Sequence, residues 1–532
     1  MLVNNEVRIP TNANEGSILL KPNEYTRIQN HHDTEIWMIE KGKGLLYSQG
    51  QYTNVFKGKV IKFEPFEDHI LINTETNDLA LKSFWYVNQK DINKAIENKK
   101  GKPQKYIVGC AYPTPNGPLH LGHIFGPYII SDVINRFFKK NGVTSFFATG
   151  TYGYTNHIEK TSKLLYKETV EKFEESISSS FRKLSLSFDY FLKQFPENKT
   201  FLNSLNVFKD FILRKDLVKE KEVLNQFNEK TETFIDESFV EGLCPNCRQL
   251  TIAIECENCG MMQDAAKIIN PIHSVTKEKL LKRKVKKLYL NFDADYINKI
   301  KLYLFSEKNV VFSYLIKQID QYIENKQLED IPISVFKTNG TTIYEGQKLS
   351  IAAERALRFF DVIKTNEDYD KYLFFCGIDN TFISAIASPY ILKKMGIDYT
   401  KLPICVINSY TLLNGQKFST SRNNAIWLED IKDYNINLLR LYYAKTKNLG
   451  NVSFNLGLFK KFCTNTLNLW VSVFSSLKKI VDSINMDKLE AGNWDSQDIN
   501  FFSYVNNLKE ITDREYESFN LEKVFLYYEF FL

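Results

Sequence analysis

The sequence predicts a multidomain protein: an N-terminal all-β barrel, an α/β domain built on a parallel sheet and interrupted by an insert, and a C-terminal α-helical bundle. Three observations predict it. Residues 16–86 alternate short apolar runs with turn residues ("GSILL", "EIWMIE", "GLLYSQG", "KVIKFEP", "HILIN", "LALKSFWYV"), the spacing of a sandwich or barrel. Further on, a buried strand "YIVGCAYP", an amphipathic helix stopped at Gly142 and a second strand "VTSFFATGT" form a strand–helix–strand unit, and hence a parallel sheet. After about residue 430 the pattern is helical to the last residue given.

Taken in order, residues 1–90 read as the barrel and 91–104, polar and lysine-rich, as a linker. The α/β domain spans 105–435. Its insert, about 161–365, reads as helical and charged apart from a cysteine cluster at 240–262. Sheet-like segments return at "KYLFFCGID" and "LPICVIN", and 436–532 is helical. No internal repeat is found. A hydrophobic content of 43% with 25% charged residues is that of a soluble globular protein. No apolar run is long enough to cross a bilayer, so no membrane partner is expected. The net charge of +6, from 69 basic and 63 acidic residues, tolerates a nucleic-acid partner without arguing for one. The start, "MLVNNEVRIPTNANEG", lacks a charged-then-apolar leader, and a cytoplasmic location is expected.

Three stretches carry chemistry. "HLGH" sets His120 and His123 in the first turns of a helix after a buried strand. Free backbone N–H groups and the positive end of the helix dipole suit phosphate there. Two imidazoles can add hydrogen bonds to phosphate oxygens and stabilise charge growing on them. Cys244, Cys247, Cys256 and Cys259 form two CxxC pairs separated by eight residues, four thiolates suited to one structural, tetrahedral Zn²⁺. His31 and Glu35 share strand parity and can both point into the barrel, where His69 would complete a metal site. His32 points the other way on a regular strand, and a bulge would be needed to turn it in. Zn²⁺ is the expected metal, with Fe²⁺ and Mn²⁺ also suited to mixed nitrogen and oxygen ligands.

"CAYPTPNGPLHLGH" resembles the signature of class I aminoacyl-tRNA synthetases in its methionyl form, so the α/β domain is expected to be Rossmann-like. "NGQKFSTSRNNAIW" resembles the second signature of that class, a loop whose lysines grip ATP phosphates, and "FFCGID" its adenosine-binding strand end. The resemblance implies ATP, with Mg²⁺, held by Pro115, His120, Gly122, His123, Gly377, Asp379 and Lys417. His120, His123, Lys417 and Ser419 would be catalytic. "DESFVEGLCPNC" and "CENCG" are similar to the family's zinc knuckle. Tyr112, Thr114, Tyr152 and Ser384 fall on the amino-acid-binding positions, but each differs from the methionine pocket. Tyr152 replaces an aspartate that holds the substrate ammonium, and Ser384 replaces a pocket histidine. Thr420 replaces the second lysine of the loop, leaving Lys417 and Arg422 for pyrophosphate.

The first ninety residues resemble a cupin: Glu35 and Gly42 hold the first motif's spacing, and Pro65, His69 and Asn73 the second's, while Gln29 stands where a first histidine is usual. A cupin joined to a methionyl-tRNA-synthetase-like body resembles the hydrazine synthetases of natural-product pathways. That resemblance implies a ligase that adenylates an amino acid and passes the acyl group to the oxygen of an N-hydroxylated amino acid such as N6-hydroxylysine. The cupin metal would then promote rearrangement of the ester to an N–N bond, an intramolecular step that proximity favours by roughly 7–11 kcal/mol. The alternatives are a divergent methionyl-tRNA synthetase, with tRNA as partner, and a non-enzymatic synthetase paralogue. The altered pocket and short helical tail speak against the first, and the retained His120, His123, Lys417 and Asp379 against the second.

Overall fold

The N-terminal strands pair into two facing antiparallel sheets. In the computed structural model, which describes all residues except 1, 4–6, 28, 30, 32, 49–50, 66, 99–103, 153–157, 159–164, 194–198, 253–255, 257–258, 260–262, 264, 308–309, 325–329, 338, 419–423, 447–451, 485–494 and 532, they are β1 (Asn14–Leu20), β2 (Thr34–Lys41), β3 (Lys43–Ser48), β4 (Gln51–Phe56), β5 (Val60–Phe63), β6 (His69–Ile72) and β7 (Leu79–Tyr86). One sheet has the order β1-β7-β2-β5, the other β4-β3-β6. Between them Leu20, Trp37, Leu46, Val55, Phe63, Leu71 and Leu79 form a dry core. The turn from β2 to β3 demands glycine: Gly42 has φ +85°, and a Cβ there would lie 2.6 Å from the Asp78 carbonyl oxygen.

The second sheet is apolar on both faces, which explains the unbroken runs "GLLY" and "HILI". Leu46 and Leu71 face the inner core, while Leu45, Tyr47, Ile70 and Ile72 join the main core of the molecule. The stretch expected as a linker is in part a helix, α1 (Gln89–Asn98). Asn88 starts it, accepting from the Lys90 amide at 3.1 Å through its side chain. Part of the remainder, 99–103, lies outside the described residues.

The next strand, β8 (Lys105–Cys110), is the centre of a five-stranded parallel sheet. A helical turn, Leu121–His123, passes through a π-helical stretch, Ile124–Tyr128, into α2 (Ile129–Lys140). Pro127 lies in the π stretch, where its missing N–H removes one helical bond. Then come β9 (Thr144–Gly150), α3 (Tyr166–Lys183), β10 (Tyr190–Leu192) and α4 (Lys199–Ile212).

The insert is not the mainly helical segment expected. Its longest pair is β11 (Val218–Asn228) against a later antiparallel strand, Leu281–Leu290. Both carry unbroken runs of charge, KEKE in one and KRK and KK in the other, and opposite signs meet across the strands at Glu220–Lys286 and Glu222–Lys284, each at 2.8 Å. A reading that counts such runs takes the strands for a solvated helix. Between them lies a small sheet of β12 (Val240–Leu243), β13 (Leu250–Ile252) and β14 (Ile269–His273). After β15 (Leu281–Leu290) follow α5 (Ala294–Ser306), α6 (Val310–Glu324) and α7 (Ile351–Thr365), the last buried from Ala352 to Ile363.

The parallel sheet resumes with β16 (Lys371–Gly377) and, after α8 (Ser388–Lys394), β17 (Pro403–Asn408). Its order is β10-β9-β8-β16-β17. The chain leaves the centre first to one side and then to the other, so β8 and β16 flank a topological switch point, where such sheets bind ligands beyond their carboxyl ends. A hairpin of β18 (Thr411–Leu413) and β19 (Gln416–Lys417) precedes α9 (Ile436–Thr446), β20 (Val452–Phe454) and three helices, α10 (Leu456–Ser483), α11 (Ser496–Glu517) and α12 (Leu521–Phe531). Arg440 of α9 binds the buried Asp132 of α2 through Nη2 at 2.7 Å, fixing the C-terminal region to the sheet. Among the described residues no helix is long and apolar enough to cross a membrane.

Candidate active site

The residues of "HLGH" stand just past β8, beside the switch point. His120 caps the helical turn, accepting at Nδ1 from the His123 amide at 3.3 Å, and His123 Nδ1 accepts from the His120 amide at 3.4 Å. The two rings stack with centroids 3.8 Å apart. Because both Nδ1 atoms accept, both protons sit on Nε2, and each ring is a donor. Burial pushes the pKa of His120 down to about 4 and that of His123 to about 3, so both are neutral near pH 7.

The second signature closes on the first from both sides. Phe418 stacks on His120 with centroids 5.3 Å apart, and Ile426 O accepts from the Leu121 amide at 2.9 Å. Trp427 bridges His120 through the backbone. Gly122 makes this approach possible, since a Cβ would fall 2.7 Å from Phe418 and 2.9 Å from His120. Lys417 pairs with Leu412 through its backbone. Ser419, Thr420 and Arg422 lie outside the described residues. Across the switch point, Asp379 follows β16 and accepts from Asn380 Nδ2 at 3.1 Å. A Cβ on Gly377 would fall 2.6 Å from its Oδ1. Pro115 is buried in the turn after β8, where Thr114 O accepts from the Asn116 amide at 2.9 Å.

The structure brings Tyr112, Tyr152 and Ser384 together around a residue the sequence did not single out, Arg355 of α7. Its guanidinium lies 5.7 Å from the Tyr112 ring centroid and 5.8 Å from those of Tyr152 and Phe374. Nη1 donates to Ser384 Oγ at 2.7 Å and Nη2 to Asn380 Oδ1 at 3.3 Å. One turn on, Arg358 lies over the same two tyrosines and meets Glu354 at 3.4 Å. Burial raises the pKa of Glu354 and lifts that of Tyr112 to about 12. A Tyr152 backbone bond to Pro113 O at 2.9 Å holds the pocket against the strand end. Two guanidiniums, one buried acid and two tyrosines thus make a polar, cationic cluster. Arg355 had one faint signal: with Arg358 it puts two arginines three residues apart, on one face of the apolar helix "IAAERALRFF".

Two further clusters are formed. The sulfurs of Cys244 and Cys259 lie 3.8 Å apart and those of Cys247 and Cys256 3.6 Å apart, and all four sit within 4.8 Å of one another. A tetrahedron with Zn–S bonds of about 2.3 Å has edges of about 3.8 Å, so the donor set fits Zn²⁺. In the N-terminal unit, Glu35 Oε2 lies 2.9 Å from His31 Nε2 and 3.0 Å from His69 Nε2. Gln29 Oε1 is also 3.0 Å from His69 Nε2, while His69 Nδ1 donates to the Glu67 carbonyl at 2.9 Å. Glu35 Oε2 and Gln29 Oε1 thus meet His69 Nε2 at one point, and His31, Glu35 and His69 bring ligand atoms close enough together to fit a metal ion. Burial opposes ionisation of Glu35, but bonds from His69, Ser83 and Trp37 hold its pKa at about 2. Gln29 joins the set expected from the sequence, His31, His32, Glu35 and His69, of which His32 lies outside the described residues.

A model of the family "tRNA synthetases class I (M)" matches residues 106–468. The chain belongs to the class I tRNA synthetases. A methionine–tRNA ligase of Flavobacterium psychrophilum is 27% identical over 397 residues, 70% of this chain and 57% of that one. One from Chlamydia pneumoniae is 24% identical over 79% of this chain and 80% of its own length. Among solved structures, Mycobacterium tuberculosis methionyl-tRNA synthetase in complex with methionyl-adenylate superposes with a TM-score of 0.60 at 14% identity, over 80% of this chain and 81% of that one. This synthetase thus spans little more than half the length of the first of these relatives.

These relatives overturn one expectation. They are named as tRNA ligases, which favours the reading placed second on sequence grounds, aminoacylation of tRNA. Hydrazine formation, with an N-hydroxylated amino acid as partner, is withdrawn. It rested on the order of two domains, and an appended barrel does not fix the chemistry of the body it joins.

Proposed function

We propose that this synthetase activates an amino acid with ATP and transfers the aminoacyl group to tRNA. The observation that carries the reading is the His120–His123 pair, two neutral donors at a switch point with the second signature closed over them. The α-carboxylate of the amino acid attacks the α-phosphorus of ATP. The P–O bond to pyrophosphate breaks, and an aminoacyl-adenylate forms. The two Nε2–H groups donate to the phosphate oxygens that gain charge, without a positive charge that would hold the substrate too firmly in its ground state. Asp379 accepts from the ribose, and Lys417, with Ser419 beyond it, meets the pyrophosphate and its Mg²⁺. Transfer to tRNA is supported by the names of the relatives.

The four-cysteine cluster would hold a structural Zn²⁺ in the insert. The N-terminal unit, cupin-like in its two facing sheets, would hold a second divalent metal on His31, Glu35, His69 and Gln29. Exchange of labelled pyrophosphate into ATP tests the activation step. An amino acid should promote it, and His123→Ala should slow it at least about 100-fold, as loss of one oxyanion donor does. Transfer of that amino acid to unfractionated tRNA tests the second step. Exchange absent with every amino acid would sink the proposal.

A further inference from the structure

We propose that the amino acid this synthetase takes carries a carboxylate side chain, recognised by Arg355. The inference rests on the activation reading above and names the substrate class of that same pocket.

Arg355 is 3% exposed, and its described contacts are all neutral: Ser384 Oγ, Asn380 Oδ1 and three aromatic faces. No carboxylate among the described residues lies within 4 Å of it as an ion-pair partner, and its Nε has no hydrogen-bond partner among them. Glu354, the acid beside it, is engaged with Arg358. Asp361, two turns beyond Glu354, accepts from Tyr190 at 2.5 Å and from Ser204 at 3.2 Å. Asp236 caps the turn at Ser238. A buried guanidinium without an anion is costly, and a structure keeps one where a ligand supplies the charge.

A second donor points the same way. Tyr152 is also 3% exposed, and its hydroxyl has no partner among the described residues. Burial raises its pKa, so it remains a neutral donor. With the Arg355 guanidinium 5.8 Å from the Tyr152 ring, an unpartnered Nε–H and an unpartnered phenolic O–H can serve the two oxygens of one carboxylate. That carboxylate is not the one activated. The α-carboxylate must reach phosphorus beside His120 and His123, whereas Arg355 contacts Ser384 and Asn380, beyond the end of β16, and neither histidine among its described contacts. Two acid groups on one substrate satisfy both ends, which describes aspartate, glutamate or a close relative.

The test is pyrophosphate exchange by the full chain with aspartate, glutamate, asparagine, glutamine, glycine and methionine, alongside thermal shifts with the same compounds. One acid should exceed its own amide by at least about 100-fold in kcat/KM, the scale of discrimination by a buried polar partner. Arg355→Met should collapse that ratio, mainly through KM for the acid, and Arg355→Lys should restore part of it. Exchange driven by neutral amino acids, with the acids inert, overturns the assignment and leaves activation standing. Acid-specific thermal shifts that vanish in Arg355→Met, without exchange, leave the assignment standing and overturn activation. Equal response to acid and amide in the unmutated protein overturns the assignment outright, whatever the variants do.

Discussion

At the scale of single residues, burial has set the protonation of the site before any substrate arrives. His120 and His123 hold pKa values of about 4 and about 3 against an ordinary 6.5. The unfolded chain therefore binds these protons first as the pH falls. Their contribution to stability is complete above about pH 6.5 and declines as the pH drops toward 4. Urea midpoints at pH 7 and pH 5 should differ, the protein being weaker at pH 5. Replacing both histidines by asparagine should flatten that dependence, and an unchanged slope would show that the imidazoles are not buried neutral. The sequence revealed this pair because its four residues are contiguous. Arg355 stayed hidden because Tyr112 and Tyr152 approach it from more than two hundred residues away, and a pocket so assembled leaves no local pattern.

Among elements, the cysteine-bearing insert depends most on something other than packing. Its own apolar cluster amounts to Ile235, Val240, Ala265, Ile268 and Leu280, too few to hold three short strands alone. The four sulfurs bring the β12–β13 ribbon up to the segment after it, and a metal bound there would supply what the core lacks. Stripping metal with a chelator should expose residues 230–280 to protease while the parallel sheet stays folded, and Cys247→Ser should do the same. Elemental analysis should find a second metal that is lost in His69→Ala alone. An insert equally resistant with and without metal would contradict this. The cysteines were legible because CxxC spacing is itself a coordination constraint. Strands β11 and β15 were not, because their consecutive charges hide the alternation of a strand and read as a solvated helix.

At the scale of the whole molecule, the N-terminal sheets and the synthetase-like body share one core. Leu45, Tyr47, Ile70 and Ile72 belong to the same apolar cluster as the parallel sheet. Tyr52 donates to the Lys299 carbonyl at 2.6 Å, and Tyr25 packs on Phe305 with ring centroids 4.2 Å apart, both on α5. Tyr52 also meets Tyr399 edge-on at 5.0 Å. The polar stretch after the barrel suggested two separable halves, but composition between two units says nothing of the surfaces they share. Denaturation followed by tyrosine and tryptophan fluorescence should show the barrel and body melting together. Two well-separated transitions would refute the coupling. The aromatic seam also bears on truncation. Removing residues 1–86 would lay bare Tyr303, Phe305 and Tyr399 on the body. The body without its N-terminal sheets should therefore stick to itself through that apolar patch.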